Sequence, residues 1–187
     1  MLICYGFCGS FCTVSRSIAQ FEKLAASGVD LLPVASFNFA SASTRFGSAS
    51  SFRSKIETVC RRPLVDTLVD AEPIGPVLRP DAMIIAPLTG NSLSKLRHGV
   101  YDTPVTLAAK ACLRSGTPLL LALATNDALS SNFENLAALY NRKNVFFVPL
   151  RQDDPAQKPF SAVADFDRIP DALSAALNRQ QLLPLFS

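Results

Sequence analysis

A chain of 187 residues, 49% apolar and 18% charged, is long enough to bury one sizeable core and short for two. Its 18 basic and 15 acidic residues leave a net charge of only +3, scattered along the chain, so there is no basic stripe with interleaved aromatics for nucleic acid and a mild balance in favour of small anionic ligands. The longest apolar stretch, Thr117 to Ala124 with its flanks, falls far below the roughly 20 residues of a bilayer crossing, and no basic segment precedes the apolar start. The expectation is one cytoplasmic domain over residues 1–187, with neither nucleic acid nor membrane as a partner.

Leu2 to Phe7 is a short apolar run that reads as a strand. Gly9-Ser10 breaks it, and Val14, Ile18, Phe21 and Leu24 then recur on one side of a helix that ends at Gly28, a residue suited to a helix C-terminus. Val29 to Ala35 is a second strand. Ser36 to Ser51 is rich in Ser, Ala and Thr, with helix resuming at Phe52 to Cys60 and a short helix expected over Leu64 to Asp70. The Pro73, Gly75, Pro76 and Pro80 cluster is a connecting loop before a buried strand at Ala82 to Ala86. Helices follow at Leu93 to Arg97 and Pro104 to Leu113. Strands are expected at Thr117 to Ala124 and Val145 to Leu150, with helices at Leu129 to Tyr140 and Ile169 to Leu182. Short buried strands alternating with helices predict an α/β fold: a three-layer αβα, doubly wound, mainly parallel sheet of Rossmann or flavodoxin type.

In such a sheet, ligands bind beyond the carboxyl ends of the strands. Five unusual loops fall there: Cys8 to Phe11, Ser36 to Phe46, Pro87 to Ser92, Thr125 to Ala128 and Gln152 to Pro159. Gly9-Ser10 ahead of a helix offers N–H groups and a hydroxyl to an anion, or forms an ordinary capping turn; it is neither GxGxxG nor a Walker loop. A helix cap needs one residue of the Thr89-Gly90-Asn91-Ser92 type, and four small or polar residues after Pro87 suggest backbone approach to a planar ligand.

Cys4, Cys8, Cys12, Cys60 and Cys112 read as reduced thiols, and Cys4, Cys8 and Cys12 lack the CxxC pair or nearby His of a metal site, so no metal is expected. His98, between Arg97 and Gly99, sits where a helix ends and reads as a structural cation more than a base. Asp153-Asp154-Pro155 is common turn chemistry.

Pro87-Leu88-Thr89-Gly90-Asn91-Ser92, followed by Lys95, Gly99 and Asp102, resembles the Pro-Ala-Ser-Ala-Asn-Thr motif and downstream helix of the flavoprotein family that includes the FMN-containing cysteine decarboxylases. GSFCT (Gly9 to Thr13), TRFG (Thr44 to Gly47), EPIGP (Glu72 to Pro76), APLTGNSLSKL (Ala86 to Leu96), DTPVTLAAKACLR (Asp102 to Arg114), TND (Thr125 to Asp127) and KNVFFVPLRQDDPAQKPFS (Lys143 to Ser161) are similar, within that family, to the flavoprotein subunits of dipicolinate synthases. The resemblance implies a homo-oligomer in the cytoplasm of a sporulating mother cell and a partner, the dehydrogenase-like subunit of dipicolinate synthase, carrying NADP. It also implies oxidation of a small dicarboxylate, a dihydro- or hydroxytetrahydro-dipicolinate, to dipicolinate.

FMN is then expected across Gly9, Ser10, Phe11, Ser36, Phe37, Asn38, Thr89, Gly90, Asn91, Ala124 and Thr125, with Phe11 and Phe37 covering apolar ring surface. Arg45, Asn91 and Lys95 are the candidates to hold substrate carboxylates and carry the reaction. The decarboxylases it resembles carry a catalytic His after the second strand, where this chain has Phe37-Asn38-Phe39, so decarboxylation is the weaker alternative beside a non-catalytic scaffold that stabilises the dehydrogenase-like subunit. The apolar face of Pro104 to Leu113 is expected to need cover from an oligomer contact.

Overall fold

The structure, a computed structural model, describes residues 1–186. Strands β1 (Leu2–Phe7), β2 (Asp30–Ala35), β3 (Ala82–Leu88) and β4 (Leu119–Thr125) pair in parallel in the order β2-β1-β3-β4. β5 (Val145–Phe147) extends the sheet in parallel along Leu119 to Leu121 of β4. A pair of short strands, β6 (Leu150–Arg151) and β7 (Ala162–Ala164), adds antiparallel pairing at Ala124 and Thr125, where β5 has stopped. This is the doubly wound, mainly parallel αβα fold that alternating buried runs predict.

All seven residues of β3 are buried, and so are five of the six in β1. Apolar side chains on both faces of a strand have to be covered twice, and the helices do so. α1 (Val14–Ala26), α3 (Ala49–Cys60) and α8 (Ile169–Leu177) cover one face; α5 (Gly90–His98), α6 (Pro104–Arg114) and α7 (Phe133–Tyr140) cover the other. On the first face a run of rings links the elements. Tyr5 meets Phe21 edge-on at 5.1 Å, Phe7 stacks on Phe39 at 5.2 Å, and Phe39 stacks on Phe52 at 5.8 Å. Ser17, fully buried on α1, donates to the Ala86 carbonyl at 2.5 Å and lies 3.1 Å from the Tyr5 hydroxyl, which ties α1 to β3 just before Pro87.

Several elements differ from the sequence reading. Leu64 to Asp70 is not one helix: Val65 is extended and exchanges hydrogen bonds with Pro33 and Ala35 at the sheet edge, leaving only the single turn α4 (Leu68–Ala71). Ser36 opens a short helix, α2 (Phe37–Ser41), accepting from the Phe39 N–H; its apolar content is one buried ring, too little for periodicity to reveal. Val145 to Leu150 splits into β5 and β6, because the chain leaves the sheet at Val148-Pro149 and returns antiparallel. The helices at Leu129 and Ile169 are shorter than expected, starting at Phe133 and ending at Leu177.

The apolar face of α6 is covered by its own chain. α4 and the turn at Pro73 to Leu78 pack on it so closely that a Cβ on Gly75 would lie 2.8 Å from Ala111 Cβ. Gly75 also has φ +100°, a region other residues reach only with strain. Gly75→Val is therefore expected to lower unfolding free energy by at least about 2 kcal/mol, from overpacking plus backbone strain, as read by urea denaturation.

Candidate functional site

The polar loops meet at the carboxyl end of the sheet, around a cavity of about 780 Å³. Its walls come from all five loop regions: Gly9 to Thr13 after β1, Arg45 and Phe46 beyond α2, Thr89 to Asn91 after β3, Ala124 to Asp127 after β4, and Asp153, Lys158, Ser161 and Val163 from the β6–β7 segment. The order β2-β1-β3 reverses the winding of the chain between β1 and β3, and the cavity opens at that reversal.

Two helix starts face it. The chain leaves β1, makes one 3-10 turn at Phe11–Thr13 and continues into α1; the first N–H groups of such a start have no partner within the helix. α5 begins at Gly90 with Thr89 as its cap, the Thr89 hydroxyl accepting from the Ser92 N–H at 3.2 Å. Gly90 and Asn91 therefore present unpaired backbone donors at the positive end of a helix.

Gly90 has no room for a side chain. An added Cβ would lie 2.7 Å from both Asn132 Nδ2 and Thr125 Oγ1, and 2.9 Å from Asp127 Oδ1. Asp127 is the centre of that cluster: its carboxylate accepts from Thr125 Oγ1 at 2.6 Å, Asn132 Nδ2 at 2.8 Å and Ser131 Oγ at 2.9 Å. Partial burial raises its pKa, but the three donors outweigh burial and hold the carboxyl below its usual value.

A smaller cavity of about 210 Å³ adjoins the first through Gly9, Thr89 and Asn91, and holds Ser36, Phe37, Asn38, Lys95 and Thr103. The expected cofactor residues thus divide. Gly9, Ser10, Phe11, Thr89, Gly90, Asn91, Ala124 and Thr125 line the large cavity, while Ser36, Phe37 and Asn38 line the small one.

Arg45 lines the large cavity with its guanidinium 4.9 Å from the Phe46 ring centre, and among the described residues it forms no ion pair. Lys95 does not share that cavity. Its ammonium is held by both Asp102 oxygens, at 2.8 and 2.9 Å, across the left-handed turn at Gly99 that ends α5. The Lys95, Gly99 and Asp102 of the sequence motif therefore form a local clasp at the C-terminus of α5.

Phe46, Asp127, Lys158, Ser161 and Val163 were not singled out from sequence. Asp127 was legible as part of Thr-Asn-Asp; Ser161 and Val163 were not, because β7 is three small residues with no pattern of its own. Lys158 is paired with Asp153 at 2.7 Å within the same segment. His98 lies elsewhere, beside Arg97, Gly99, Tyr101 and Arg142, with Nδ1 2.8 Å from the Ser94 carbonyl. Cys8 is fully buried beneath the floor, where desolvation pushes its thiol up to about 11 against hydrogen bonds with Ser92 and Thr89. Cys12 alone of the first three cysteines is exposed.

A family model described as Flavoprotein matches residues 6–178, and the chain belongs to the flavoprotein family. Within it, the chain is 46% identical over 181 residues to the B subunit of dipicolinate synthase of Bacillus subtilis (strain 168), a match covering 97% of this chain and 90% of that protein. The crystal structure of the corresponding B subunit of dipicolinate synthase from Bacillus halodurans C is 39% identical, with a TM-score of 0.91 over 100% of this chain and 95% of that one. The FMN-dependent cysteine decarboxylase SpaF, 21% identical over 95% of each chain with a TM-score of 0.64, shares the fold. No helix among the described residues is long and apolar enough to cross a membrane.

The Asp127 cluster sets a pH dependence whose sign follows from the lowered pKa. Stability from the ionised carboxylate is fully present above the unfolded value of about 3.9 and is lost as pH falls through the folded one. Melting temperature is therefore expected to fall less steeply below about pH 4 in Asp127→Asn than in the wild type, as read by calorimetry across that range.

Proposed function

We propose that this chain is the flavin-binding subunit of a dipicolinate-forming oxidoreductase and works with a dehydrogenase-like subunit that carries NADP. One observation supports the reading above the rest: five separate loops converge on one cavity that joins helix-start N–H groups to aromatic surface, in a chain similar over nearly its whole length to dipicolinate synthase subunits of the same family.

The residues present fit FMN. The N–H groups of Phe11 and Cys12 at the 3-10 turn before α1 and those of Gly90 and Asn91 at the start of α5, with the Ser10 hydroxyl, suit a phosphate, and the Phe11 and Phe46 rings lining the cavity suit a flat ring system. When bound, FMN supplies a two-electron acceptor for hydride. The chain's own part is to orient the substrate and keep its charges matched. Arg45 is the residue for one substrate carboxylate, because a planar guanidinium takes a carboxylate through two parallel hydrogen bonds and keeps its charge at any working pH. Asn91, at the first turn of α5 and shared by both cavities, orients the bound ring. Lys95 contributes through its clasp on Asp102, which fixes the end of α5.

Decarboxylation is disfavoured by the same geometry. Phe37-Asn38-Phe39 supplies no base after β2, and His98 is turned to a carbonyl of its own helix in a different cavity. A scaffold role is separated by experiment: dipicolinate formation at the full rate by the dehydrogenase-like subunit without this chain would establish it.

The purified chain is expected to be yellow, and Ser10→Leu to abolish flavin retention, by filling the loop that the phosphate would occupy; unchanged flavin absorbance in that variant removes FMN from this cavity. Arg45→Ala is expected to leave the fold and bound flavin intact while lowering kcat/KM of the reconstituted two-subunit enzyme at least about tenfold. That loss corresponds to a charge-assisted contact of roughly 1.5–3 kcal/mol.

A further inference from the structure

The amino ends of β4 and β5, opposite the large cavity, carry a different kind of surface. Three helices finish there: α5 at Arg97-His98, α7 at Tyr140 with Arg142 and Lys143 just beyond it, and α8 at Leu177 with Arg179 two residues on. Tyr140, Arg142, Lys143, Asn144 and Arg179 line a hollow of about 820 Å³, and Arg97, His98, Tyr101 and Arg142 line another of about 600 Å³. The two adjoin through Arg142. Four fixed cations, Arg97, Arg142, Lys143 and Arg179, therefore line one concave face, and no Asp or Glu lines either part of it. Among the described residues none of the four is in an ion pair.

A helix C-terminus favours cations by itself, which accounts for basic residues at this end but not for how these are held. Arg179 donates through Nη1 to the Gly116 carbonyl at 2.7 Å and to Asn144 Oδ1 at 3.2 Å, and Arg142 donates through Nη1 to the Leu96 carbonyl at 3.4 Å. Each guanidinium is thus fixed at one corner of a five-donor fork, and its other donors have no partner among the described residues. Arg179 and Asn144 both hold left-handed backbone, at φ +60° and +64°, where glycine would be unstrained; the side chains carried at that cost are the two that meet.

We propose that this face is a binding site for a polyphosphate group, free or borne by a nucleotide. Charge decides the class. A dicarboxylate brings two negative charges and leaves half of the four cations unmatched, whereas a triphosphate brings about four, strung along a chain as the cations are strung across the two hollows. Guanidinium forks take phosphate oxygens through two parallel hydrogen bonds, and Lys143 adds a point charge. Tyr140, 37% exposed beside Arg142, offers a ring to a nucleobase. The face shares no residue with the large or the small cavity, so the proposal goes beyond the function above and does not depend on it.

The test is titration calorimetry on the full chain with FMN in excess, so that any phosphate site in the large cavity is filled. Inorganic triphosphate is expected to bind with a dissociation constant below about 0.1 mM at low ionic strength, weakening as salt rises. Arg97→Gln combined with Lys143→Gln removes one cation from each hollow and breaks no ion pair, so melting temperature is expected to hold while the dissociation constant rises at least about tenfold. Arg61→Gln combined with Arg79→Gln removes two cations that line neither hollow, and is expected to leave triphosphate binding unchanged. ATP binding more tightly than triphosphate, with the margin lost in Tyr140→Leu, assigns the site to a nucleotide; equal affinity assigns it to a free chain of phosphates.

Absence of saturable binding overturns the site, and so does full affinity in the Arg97→Gln, Lys143→Gln variant. Equal losses in the two double variants overturn it as well, because net charge then explains the effect. Pyridine-2,6-dicarboxylate binding as tightly as triphosphate overturns the assigned class. A wild type that fails to bind triphosphate, with an oligomer that dissociates on light scattering in the Arg97→Gln, Lys143→Gln variant, gives the face to a second copy of the chain. If that variant unfolds, Lys143→Gln alone carries the same readouts.

Discussion

Everything in this molecule follows from strands that are apolar on both faces. β3 runs Ala-Met-Ile-Ile-Ala-Pro-Leu and β4 runs Leu-Leu-Leu-Ala-Leu-Ala-Thr, with no charged side chain in either. Water has to be removed from both sides of such strands, at roughly 25 cal/mol for each Å² buried, and only helices on both faces achieve it. The interior then has very little room for polar groups. The Tyr5, Ser17 and Ala86 chain is admitted because each member has a partner. The remaining polar chemistry is pushed to the ends of the strands, and at the carboxyl ends the connecting loops are long enough to enclose a space.

That space is built by local rules used for a common end. Thr89, Thr103 and Ser36 cap helices, and each cap fixes a loop that borders one of the two adjoining cavities. The Asp127 cluster is tied together by its own hydrogen bonds and packs directly against Gly90, so the start of α5 is confined on the far side by that cluster and from beneath by the buried strands. Acids and bases near the site are mostly paired with each other. The result is a cavity whose lining cations and carboxylates are equal in number.

The relation to cysteine decarboxylases shows how one scaffold is reused. SpaF shares the sheet and its helices at 21% identity, and the region after β2 is where this chain has phenylalanines flanking an asparagine. At that level the likeness is one of fold, and the chemistry depends on the residues each chain sets around the cavity, as expected when function resides in a site carried by a widely used fold.

The sequence by itself determined the architecture and the end of the sheet that holds the site. Buried runs at Leu2, Val29, Ala82, Thr117 and Val145 have a length and composition that only covered parallel strands accommodate, and the glycine and hydroxyl residues after them mark the loops. Arg45 was legible too, as a cation in a loop after a strand. Tertiary structure decided what short or long-range pairing controls. β7 forms because Ala162 to Ala164 meets a free stretch of β4 that β5 does not reach, and no local pattern announces that. Val65 is extended because Pro33 and Ala35, far back along the chain, offer it partners. Lys95, a substrate candidate by sequence, is held by Asp102 across a turn, and Lys158, which sequence did not single out, is held by Asp153 across the β6–β7 segment. A charge seen in sequence is only a candidate; whether it is free depends on which opposite charge the fold sets within reach.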